Sequence, residues 1–301
     1  MRDLVIVGAG PAGLTAGIYG KRAGLDTLII DESGIGGGQV LTTYDVDNYP
    51  GLPGISGIEL GTKFQEHAEG AGVEIMSTEL TGIRLDGDIK RLDTTDGEIE
   101  CRALIIATGA THNHLGVSGE EELAGMGVSY CATCDGAFFR NRVTAVVGGG
   151  DVALEDALFL ARGCSKVYLI HRRDEFRGAD KLVKAVEATD NIEIIYDSVV
   201  DSIVGDGQVE AINIKNVKSG ETTNLSVQGV FIAVGTHPTT DYISDLVACD
   251  DKGYIIADET CVTNVPGIFA AGDVRTKKLR QIVTAASDGA NAVQSAVDYL
   301  N

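Results

Sequence analysis

The chain has 301 residues, enough for about two domains, and its 44% hydrophobic and 23% charged residues exclude a disordered or fibrous protein. Its formal net charge of −20, from 44 acidic against 24 basic side chains, disfavours nucleic acid or an anionic membrane surface as the main partner. No apolar run reaches the ~18–20 residues of a membrane span, and the spacing of the six cysteines is not that of a secreted disulfide framework, so we expect a cytoplasmic protein.

The acid surplus has two interpretations. One is adaptation to a salt-rich cytoplasm, where counter-ions screen the repulsion between carboxylates. The other is an ordinary acidic enzyme. The sequence alone leaves both open.

The chain begins with a predicted strand, a glycine turn and a helix. Residues 4–7 are apolar, and the turn that follows has the pattern G-x-G-x-x-G, with small residues at Gly8, Gly10, Ala12 and Gly13. In this context the glycines permit a tight turn and let the backbone approach a pyrophosphate at the helix N-terminus. A second strand, residues 27–30, ends at Asp31, whose carboxylate is placed to bond ribose hydroxyls. The alternative is a glycine-rich turn that binds nothing.

A β-rich segment separates this unit from the next motif. Residues 57–72 predict a helix and 73–75 a short strand, while residues 81–101 alternate like an antiparallel meander. Residues 104–107 then predict a strand that closes the first unit and ends in the small-residue turn Thr108-Gly109.

Cys131 and Cys134 are separated by two residues, and Asp135 follows directly. This spacing allows a redox-active disulfide, and Asp135 is placed to hold or deliver a proton as the dithiol forms. The alternatives are half of a zinc site, two inert buried thiols and, for Asp135, a helix N-cap. A zinc site is disfavoured because the sequence has no second C-x-x-C or nearby pair of histidines, so we assign no metal.

The first pattern returns at residue 143. An apolar strand, residues 143–147, runs into a second small-residue turn and a helix to about residue 162; the turn contains Gly148, Gly150, Asp151, Val152 and Ala153. Alanine at the third glycine position is a permitted variant of the dinucleotide-binding pattern. This segment therefore predicts a second phosphate-binding turn.

The end of the next strand distinguishes the two turns. Residues 167–170 are followed by a basic segment in place of an acid, with His171, Arg172, Arg173 and Arg177. Guanidinium groups match phosphate oxygens, so the segment predicts a site for a 2′-phosphate; a solvated basic edge is the alternative. The simplest assignment is FAD at the first turn and NADPH at the second.

The repeat defines the fold class. Residues 191–229 repeat the meander texture, residues 230–235 supply a second closing strand, and the chain ends in a strand, a glycine turn and a long helix over about residues 280–300. Two βαβ units with β insertions predict an α/β protein with two Rossmann-like dinucleotide-binding domains of the three-layer ββα type.

The order of FAD turn, C-x-x-C and NADP turn within about 300 residues resembles the low-molecular-weight thioredoxin reductases, and the resemblance covers essentially the whole chain. Residues 131–135 are similar to the redox motif of that family and residues 171–177 to its NADPH signature. Two further segments are similar to its flavin-contacting segments: residues 37–51, with Gly38, Gln39 and Asn48, and residues 272–281, with Gly272, Asp273, Arg280 and Gln281.

This resemblance implies a discontinuous FAD domain, residues 1–112 and 243–301, into which an NADPH domain, residues 113–242, is inserted. It also implies a thioredoxin-disulfide reductase and a homodimer. NADPH would deliver hydride to FAD, the reduced flavin would open the disulfide between Cys131 and Cys134, and the dithiol would reduce thioredoxin or a similar small redox protein.

Three other functions remain open from the residues. A ferredoxin–NADP reductase of the same fold would generally lack the C-x-x-C, and an oxidase that makes a small-molecule disulfide with O₂ would not need the arginines. A redox sensor would bind FAD yet turn over no NADPH. These functions are separated by whether NADPH bleaches the yellow protein and oxidised thioredoxin restores its colour.

Overall fold

A computed structural model describes residues 1–43 and 46–301, so the segment 37–51 is described apart from residues 44 and 45. The helices of the described part are α1 (Pro11–Arg22), α2 (Gly57–Gly70), α3 (Ala132–Asp135), α4 (Asp151–Ala161), α5 (Asp180–Glu187) and α6 (Ile282–Leu300). Its strands are β1 (Arg2–Val7), β2 (Thr27–Asp31), β3 (Glu74–Ser77), β4 (Leu80–Asp86), β5 (Ile89–Thr94), β6 (Gly97–Ile106), β7 (Ala110–His112), β8 (Val128–Ser129), β9 (Val143–Gly148), β10 (Lys166–Ile170), β11 (Ile192–Ile195), β12 (Ser198–Val204), β13 (Ala211–Asn216), β14 (Thr222–Ser226), β15 (Gly229–Ala233), β16 (Thr236–Pro238) and β17 (Ile268–Ala270).

The chain divides into two compact units. The first comprises Met1–Thr111 and His237–Asn301, and the second comprises His112–Thr236. The predicted boundaries lay after residues 112 and 242, whereas the chain passes between the units after residues 111 and 236. The second boundary comes earlier because the returning chain bonds to the first unit at once: Thr239 N–H donates to the carbonyl of Gly109 (3.1 Å).

The first unit is built on a sheet with the strand order β3-β2-β1-β6-β5-β4, and β17 also pairs with β6. Residues 97–101 of β6 pair antiparallel with β5, whereas residues 104–106 pair parallel with β17. The sequence predicted a meander and a separate closing strand. The last strand of the meander and the closing strand form the single strand β6, because neither glycine nor proline interrupts residues 98–106.

The side chains of β1 alternate between two cores. Leu4 and Ile6 are buried among residues of α1 and α6, whereas Val5 and Val7 are buried with residues of β4, β5 and the segment 243–257. This alternation is the period of two that a strand covered on both faces requires. The first unit therefore has three layers: helices, parallel sheet and meander.

The second unit repeats the three layers on the parallel sheet β11-β10-β9-β15-β8. Val146 and Leu169 are buried against α4, and Val147 and Ile170 face the antiparallel strands β12, β13 and β14. The structure confirms the predicted α/β fold with two Rossmann-like units. Each unit carries its glycine turn between the middle strand of its parallel strands, β1 or β9, and the helix that follows it, α1 or α4.

Candidate functional site

The first glycine turn joins β1 to α1, and its glycines have different surroundings. Gly8 has a φ of 107°, and a Cβ there would overlap the carbonyl of Ala107; a Cβ at Gly13 would overlap the carbonyl of Gly8. At Gly10 no described atom lies within 4 Å of the place that a Cβ would take. Gly10 is the N-cap of α1 and no side chain caps this helix. The turn is therefore closed on the protein side and open at the helix N-terminus, which suits a pyrophosphate.

Asp31 ends β2 beside this turn. Its Oδ2 accepts a hydrogen bond from Ala9 N–H (2.8 Å), and its Oδ1 accepts bonds from the N–H (3.0 Å) and the hydroxyl (2.6 Å) of Ser33. These bonds fix the carboxylate at the strand end. A carboxylate has about four acceptor positions, so Asp31 keeps capacity for a ribose hydroxyl.

The loop after β2 returns to the glycine turn and reaches α6. A Cβ at Gly38 would stand 3.2 Å from the Cα of Gly10, which brings the two predicted segments together. Asn48 Nδ2 donates to Gln281 Oε1 (2.9 Å), and Gln281 is the N-cap of α6. Gln39 is exposed in the 3-10 helix Gly38–Thr42. The two predicted flavin segments, far apart in sequence, therefore meet through Asn48 and Gln281.

Thr108 and Gly109 lie directly after β6. The hydroxyl of Thr108 donates to the carbonyl of Thr239 (2.7 Å). A Cβ at Gly8 would come within 3.2 Å of the Cα of Thr108. This small-residue turn therefore packs against the glycine turn.

The segment after β17 contains a buried carboxylate oxygen without a partner. Asp273 Oδ1 has no hydrogen bond among the residues described. Burial raises the pKa of the Asp273 carboxyl, and the positive charges of Lys277 and Arg280 oppose that rise. Buried polar oxygens are nearly always hydrogen-bonded. Asp273 thus fits a hydroxyl of a bound ligand, such as the ribityl chain of FAD.

Arg280 holds this segment from within. Its guanidinium donates to the backbone carbonyls of Asp273 (3.4 Å), Arg275 (3.2 Å) and Lys277 (3.3 Å). It also lies over the ring of Tyr254, at 4.1 Å from the centroid. Arg280 therefore shapes the turn that carries Asp273, and direct contact with a cofactor stays a prediction.

Asp288 of α6 is a buried acid beside this segment that the sequence motifs did not include. Its carboxylate is 2% exposed. Oδ2 accepts bonds from Gly272 N–H (2.9 Å), Arg275 Nε (2.9 Å) and Lys277 Nζ (2.8 Å), and Oδ1 accepts a bond from Arg275 Nη2 (2.8 Å). The sequence could have indicated Asp288 through its position: it is an acid on the small-residue face of a predicted helix, among Ala285, Gly289 and Ala292.

The second glycine turn, between β9 and α4, repeats the first with one change. Gly150 is the N-cap of α4, without a side-chain cap, and no described atom lies within 4 Å of the place for its Cβ. Ala153 is fully buried, and a Cβ at Gly148 would stand 2.7 Å from the Cβ of Ala153. Glycine at 148 thus leaves room for the alanine methyl group. This turn is likewise open at its helix N-terminus.

The first turn of α4 also carries Asp151 and Val152. Asp151 Oδ1 accepts a bond from Ala179 N–H (2.7 Å), which ties α4 to the start of α5. Val152 is 60% exposed, beside the open helix N-terminus. Asp151 is thus engaged by the protein, and Val152 presents an apolar surface to any ligand at the turn.

Three arginines after β10 point into solvent. Arg172, Arg173 and Arg177 are exposed, and Arg177 N–H donates to the carbonyl of Gly149 in the glycine turn (2.8 Å). Of the two acids in this segment, Asp174 is paired with Lys218 (3.0 Å) and Glu175 is exposed. The arrangement places guanidinium groups next to the second helix N-terminus, which suits a phosphate group.

His171 supports this segment from below. It is 5% exposed, its ring fills the space where a side chain at Gly149 would stand, and it stacks on Phe176 with ring centroids 5.3 Å apart. Burial lowers its pKa, and the charges of Arg177 and Arg173 lower it further. The ring therefore packs against the glycine turn and Phe176, and so supports the segment that carries the arginines.

Cys131 and Cys134 form a disulfide on the short helix α3. Cys131 is the N-cap of this helix, and its Sγ accepts the N–H of Cys134 (3.2 Å) and lies 3.4 Å from Thr133 Oγ1. Both cysteines are half-buried. The remaining cysteines, Cys101, Cys164, Cys249 and Cys261, are free thiols.

Asp135 ends α3 and caps no helix with its side chain. The hydroxyl of Ser129 donates to Asp135 Oδ2 (2.6 Å) and accepts the N–H of Cys131 (3.0 Å). Burial raises the pKa of Asp135, and the hydrogen bond from Ser129 offsets only part of that rise. The carboxyl therefore takes up a proton more readily than an exposed aspartate, and Ser129, which no motif indicated, orients it.

A hydrogen-bonded group precedes the disulfide. The hydroxyl of Tyr130 donates to the buried carboxylate of Glu120 (2.8 Å) and lies 2.9 Å from His114 Nδ1. Glu120 also accepts the N–H of Gly116 (2.7 Å), and His112 stacks on the Tyr130 ring with centroids 5.2 Å apart. Burial and Glu120 raise the pKa of Tyr130. These contacts fix the chain just before Cys131.

Two features are absent from residues 1–43 and 46–301. No helix in this part of the chain has the length and apolar character needed to cross a membrane. No group of three or more His, Cys, Asp or Glu side chains in it is arranged to hold a metal ion.

The similarity of this chain to known proteins extends over its whole length. Residues 2–289 match the family model described as pyridine nucleotide-disulphide oxidoreductase. The thioredoxin reductase of Listeria monocytogenes is 46% identical over 299 residues, 99% of this chain and 93% of that protein. The thioredoxin reductase of Bacillus subtilis is 43% identical over 300 residues, 99% of this chain and 94% of that protein. The crystal structure of thioredoxin reductase from Streptococcus pyogenes superposes with a TM-score of 0.95 at 46% identity, covering 100% of this chain and 98% of that one.

Proposed function

Since this chain belongs to the pyridine nucleotide-disulphide oxidoreductase family, and within it to the thioredoxin reductases, we propose that Cys131 and Cys134 carry its reaction, the reduction of a thioredoxin disulfide by NADPH through FAD. The observation that carries the proposal is the Cys131–Cys134 disulfide next to a carboxyl group of raised pKa, that of Asp135. In net terms, NADPH, one proton and a protein disulfide become NADP⁺ and a protein dithiol.

When bound, FAD accepts a hydride from NADPH and supplies two electrons for the disulfide. Those two electrons break the S–S bond, and with the uptake of one proton Cys131 and Cys134 become one thiol and one thiolate. One thiolate then attacks the disulfide of the partner protein to form a mixed disulfide. The other cysteine attacks that mixed disulfide, which releases the partner as a dithiol and restores the Cys131–Cys134 bond.

Asp135 is proposed as the proton carrier of this exchange. Its burial favours the protonated carboxyl, and Ser129, bonded to both Asp135 and the backbone of Cys131, holds it beside the pair. A proton from the carboxyl neutralises a departing thiolate, and the carboxylate recovers a proton when the dithiol is oxidised.

The first unit is proposed as the FAD domain. An open helix N-terminus at Gly10 suits the pyrophosphate, Asp31 retains acceptor capacity for a ribose hydroxyl, and Asp273 has a buried oxygen without a partner. The proposed FAD residues are Gly8, Gly10, Ala12, Gly13, Asp31, Gly38, Gln39, Asn48, Thr108, Gly109, Gly272, Asp273, Arg280 and Gln281.

The second unit is proposed as the NADPH domain. Its open turn at Gly150 suits the pyrophosphate, and the exposed arginines that follow β10 suit the 2′-phosphate. The proposed NADPH residues are Gly148, Gly150, Asp151, Val152, Ala153, His171, Arg172, Arg173 and Arg177. Within this set, His171 acts through the arginines that it supports.

A homodimer located in the cytoplasm completes the proposal. The resemblance to the thioredoxin reductases implies the dimer, and exposed apolar side chains of the first unit, among them Ile35, Ile58, Ile256, Leu279 and Val283, are candidates for its interface. Sedimentation velocity measures this directly, since a mass of 31.5 kDa in solution would contradict the dimer.

Cys134→Ser separates the two halves of the reaction. The variant keeps both glycine turns, so NADPH should still reduce ferricyanide through the flavin at the wild-type rate. Thioredoxin reduction should fall to background because a lone Cys131 cannot close an internal disulfide. In an anaerobic dithionite titration the wild-type protein should take up about two electrons more per flavin than the variant.

The matched control is Cys249→Ser, which changes a half-buried free thiol outside α3 and should leave both activities intact. Normal thioredoxin reduction by Cys134→Ser would refute the proposed role of the pair and favour a ferredoxin reductase or an oxidase. A wild-type protein that binds FAD but oxidises no NADPH would instead favour a redox sensor.

A further inference from the structure

The charged group of Asp288, Arg275 and Lys277 is buried in the first unit. The side chains of these residues are 2%, 1% and 4% exposed, respectively. Burial opposes ionisation of Asp288, but the bonds and charges of Arg275 and Lys277 outweigh it and hold its pKa below the ordinary value. A buried ion pair is weak evidence for stability, because desolvation offsets much of the attraction. We therefore consider which segment of chain this group holds in place, and not how much it adds to stability.

The bonds of Asp288 converge on one segment of chain. Gly272, Arg275 and Lys277 all follow β17, and all three donate to Asp288 Oδ2 at 2.8–2.9 Å. One carboxylate on α6 therefore fastens this segment at three places. The contact to Gly272 is made by the backbone, so it fixes the path of the chain and not only a side chain.

The residue next to Gly272 is Asp273, the acid with the unpartnered oxygen. Gly272 has a φ of 80°, which glycine adopts without strain, and a Cβ there would stand 3.0 Å from the Cβ of Ala12 in α1. The turn is therefore held between two helices, with Asp288 on one side and the first glycine turn on the other. This placement decides where the carboxylate of Asp273 stands.

We propose that Asp288 is a positioning residue for FAD, which holds the turn Gly272–Asp273 so that the free oxygen of Asp273 meets a hydroxyl of the flavin's polyol chain. The inference rests on the proposed function, in which the first unit binds FAD. Asp288 itself contacts the turn and not the ligand. Its effect on FAD is therefore exerted through Asp273.

A double-mutant cycle on FAD affinity tests this dependence. The dissociation constant is measured by flavin fluorescence on protein stripped of FAD, for wild type, Asp273→Asn, Asp288→Asn and the double variant. Each single change should weaken FAD about 10-fold or more, the loss expected for a hydrogen bond to a charged group. The double variant should bind no more weakly than the weaker single variant. If the fold-changes of the two single variants multiplied in the double variant, the proposal would be overturned, because the free-energy changes of independent residues add.

Glu259→Gln is the matched control. Glu259 contacts the same guanidinium of Arg275 at 3.3 Å, but its side chain is 85% exposed, and its bond is to the guanidinium and not to the turn. FAD affinity should stay within about 2-fold of wild type, since exposed ion pairs contribute little. An equal loss in Glu259→Gln and Asp288→Asn would assign the effect to Arg275 and overturn the role of Asp288.

Lys277→Met keeps the test decisive if Asp288→Asn does not fold, as judged by circular dichroism. It removes one donor to Asp288 and leaves the bond from Gly272. It should weaken FAD about 3-fold or more and show the same non-additivity with Asp273→Asn. Unchanged affinity would overturn the proposal. A wild-type chain that binds no FAD would refute the proposed function itself.

Discussion

Arg172 and Arg173 are exposed side chains at the end of β10, where the first unit has Asp31. A 2′-phosphate is the one group that distinguishes NADPH from NADH, and a guanidinium binds it through charge-assisted hydrogen bonds. Replacing both arginines by alanine should raise KM for NADPH and leave KM for NADH nearly unchanged. Each lost contact costs ~1.5–3 kcal/mol where the phosphate is bound closely, and steady-state kinetics with both coenzymes measures the difference.

Arg162→Ala is the control for this pair, because it removes an exposed arginine of the same unit at the end of α4, away from the glycine turn. Its KM values should match wild type. If NADPH and NADH weaken equally in the double variant, the arginines are structural and the 2′-phosphate assignment fails.

Single residues were predictable where their role is local. Cys131 and Cys134, the two glycine turns and the basic segment are contiguous patterns with a chemical meaning of their own. The spacing of the two cysteines allowed a disulfide, and the family resemblance implied it. Ser129, Glu120 and Asp288 were not predicted. Each works through contacts that exist only after folding, such as Asp288 with a backbone N–H 16 residues away.

At the scale of elements, two glycines of the first strand–turn–helix are expected to have different roles, Gly10 in binding FAD and Gly13 in packing. Gly10 has open space for a Cβ, whereas a Cβ at Gly13 would overlap the carbonyl of Gly8. Gly10→Ala should therefore keep the melting temperature of FAD-free protein while FAD affinity falls. Gly13→Ala should lower the melting temperature, since overpacking costs about 1–3 kcal/mol.

Calorimetry and flavin fluorescence on the two variants give both quantities. Equal losses of melting temperature would show that Gly10 is needed for packing as well. If Gly10→Ala bound FAD with wild-type affinity, the pyrophosphate would not bind at this turn.

Elements were predictable where an apolar run ends in a glycine turn, as in β1 and β9, or where a helical pattern is long, as in α6. Helix α5 was not predicted, although Leu182, Val183 and Val186 have helical spacing. Eight residues are too few for periodicity to distinguish a helix from a loop, and packing against α4 supplies the stability that isolated short helices lack. Strand β6 was divided in two because its ends pair differently, which only the folded sheet reveals.

At the scale of the whole molecule, the net charge of −20 has two interpretations, which differ in the dependence of stability on salt that they predict. Adaptation to salt predicts that the melting temperature of the FAD-loaded protein rises steeply from low salt to molar KCl, because screening removes the repulsion between carboxylates. A flat profile identifies an ordinary acidic enzyme. Differential scanning fluorimetry across KCl concentrations decides between them.

Because one unit is inserted within the other, the two units are completed in a fixed order during translation. Every residue of the second unit precedes residue 237, and the ends of that unit are joined by Asn113 N–H and the carbonyl of Gly235 (3.0 Å). The second unit can therefore be completed during translation, as domains generally are. The first unit receives β17 and α6 only after the whole second unit has been synthesised, so Asp273 and Asp288 reach the glycine turn later. A chain truncated before β17 would carry a finished second unit and an incomplete first one.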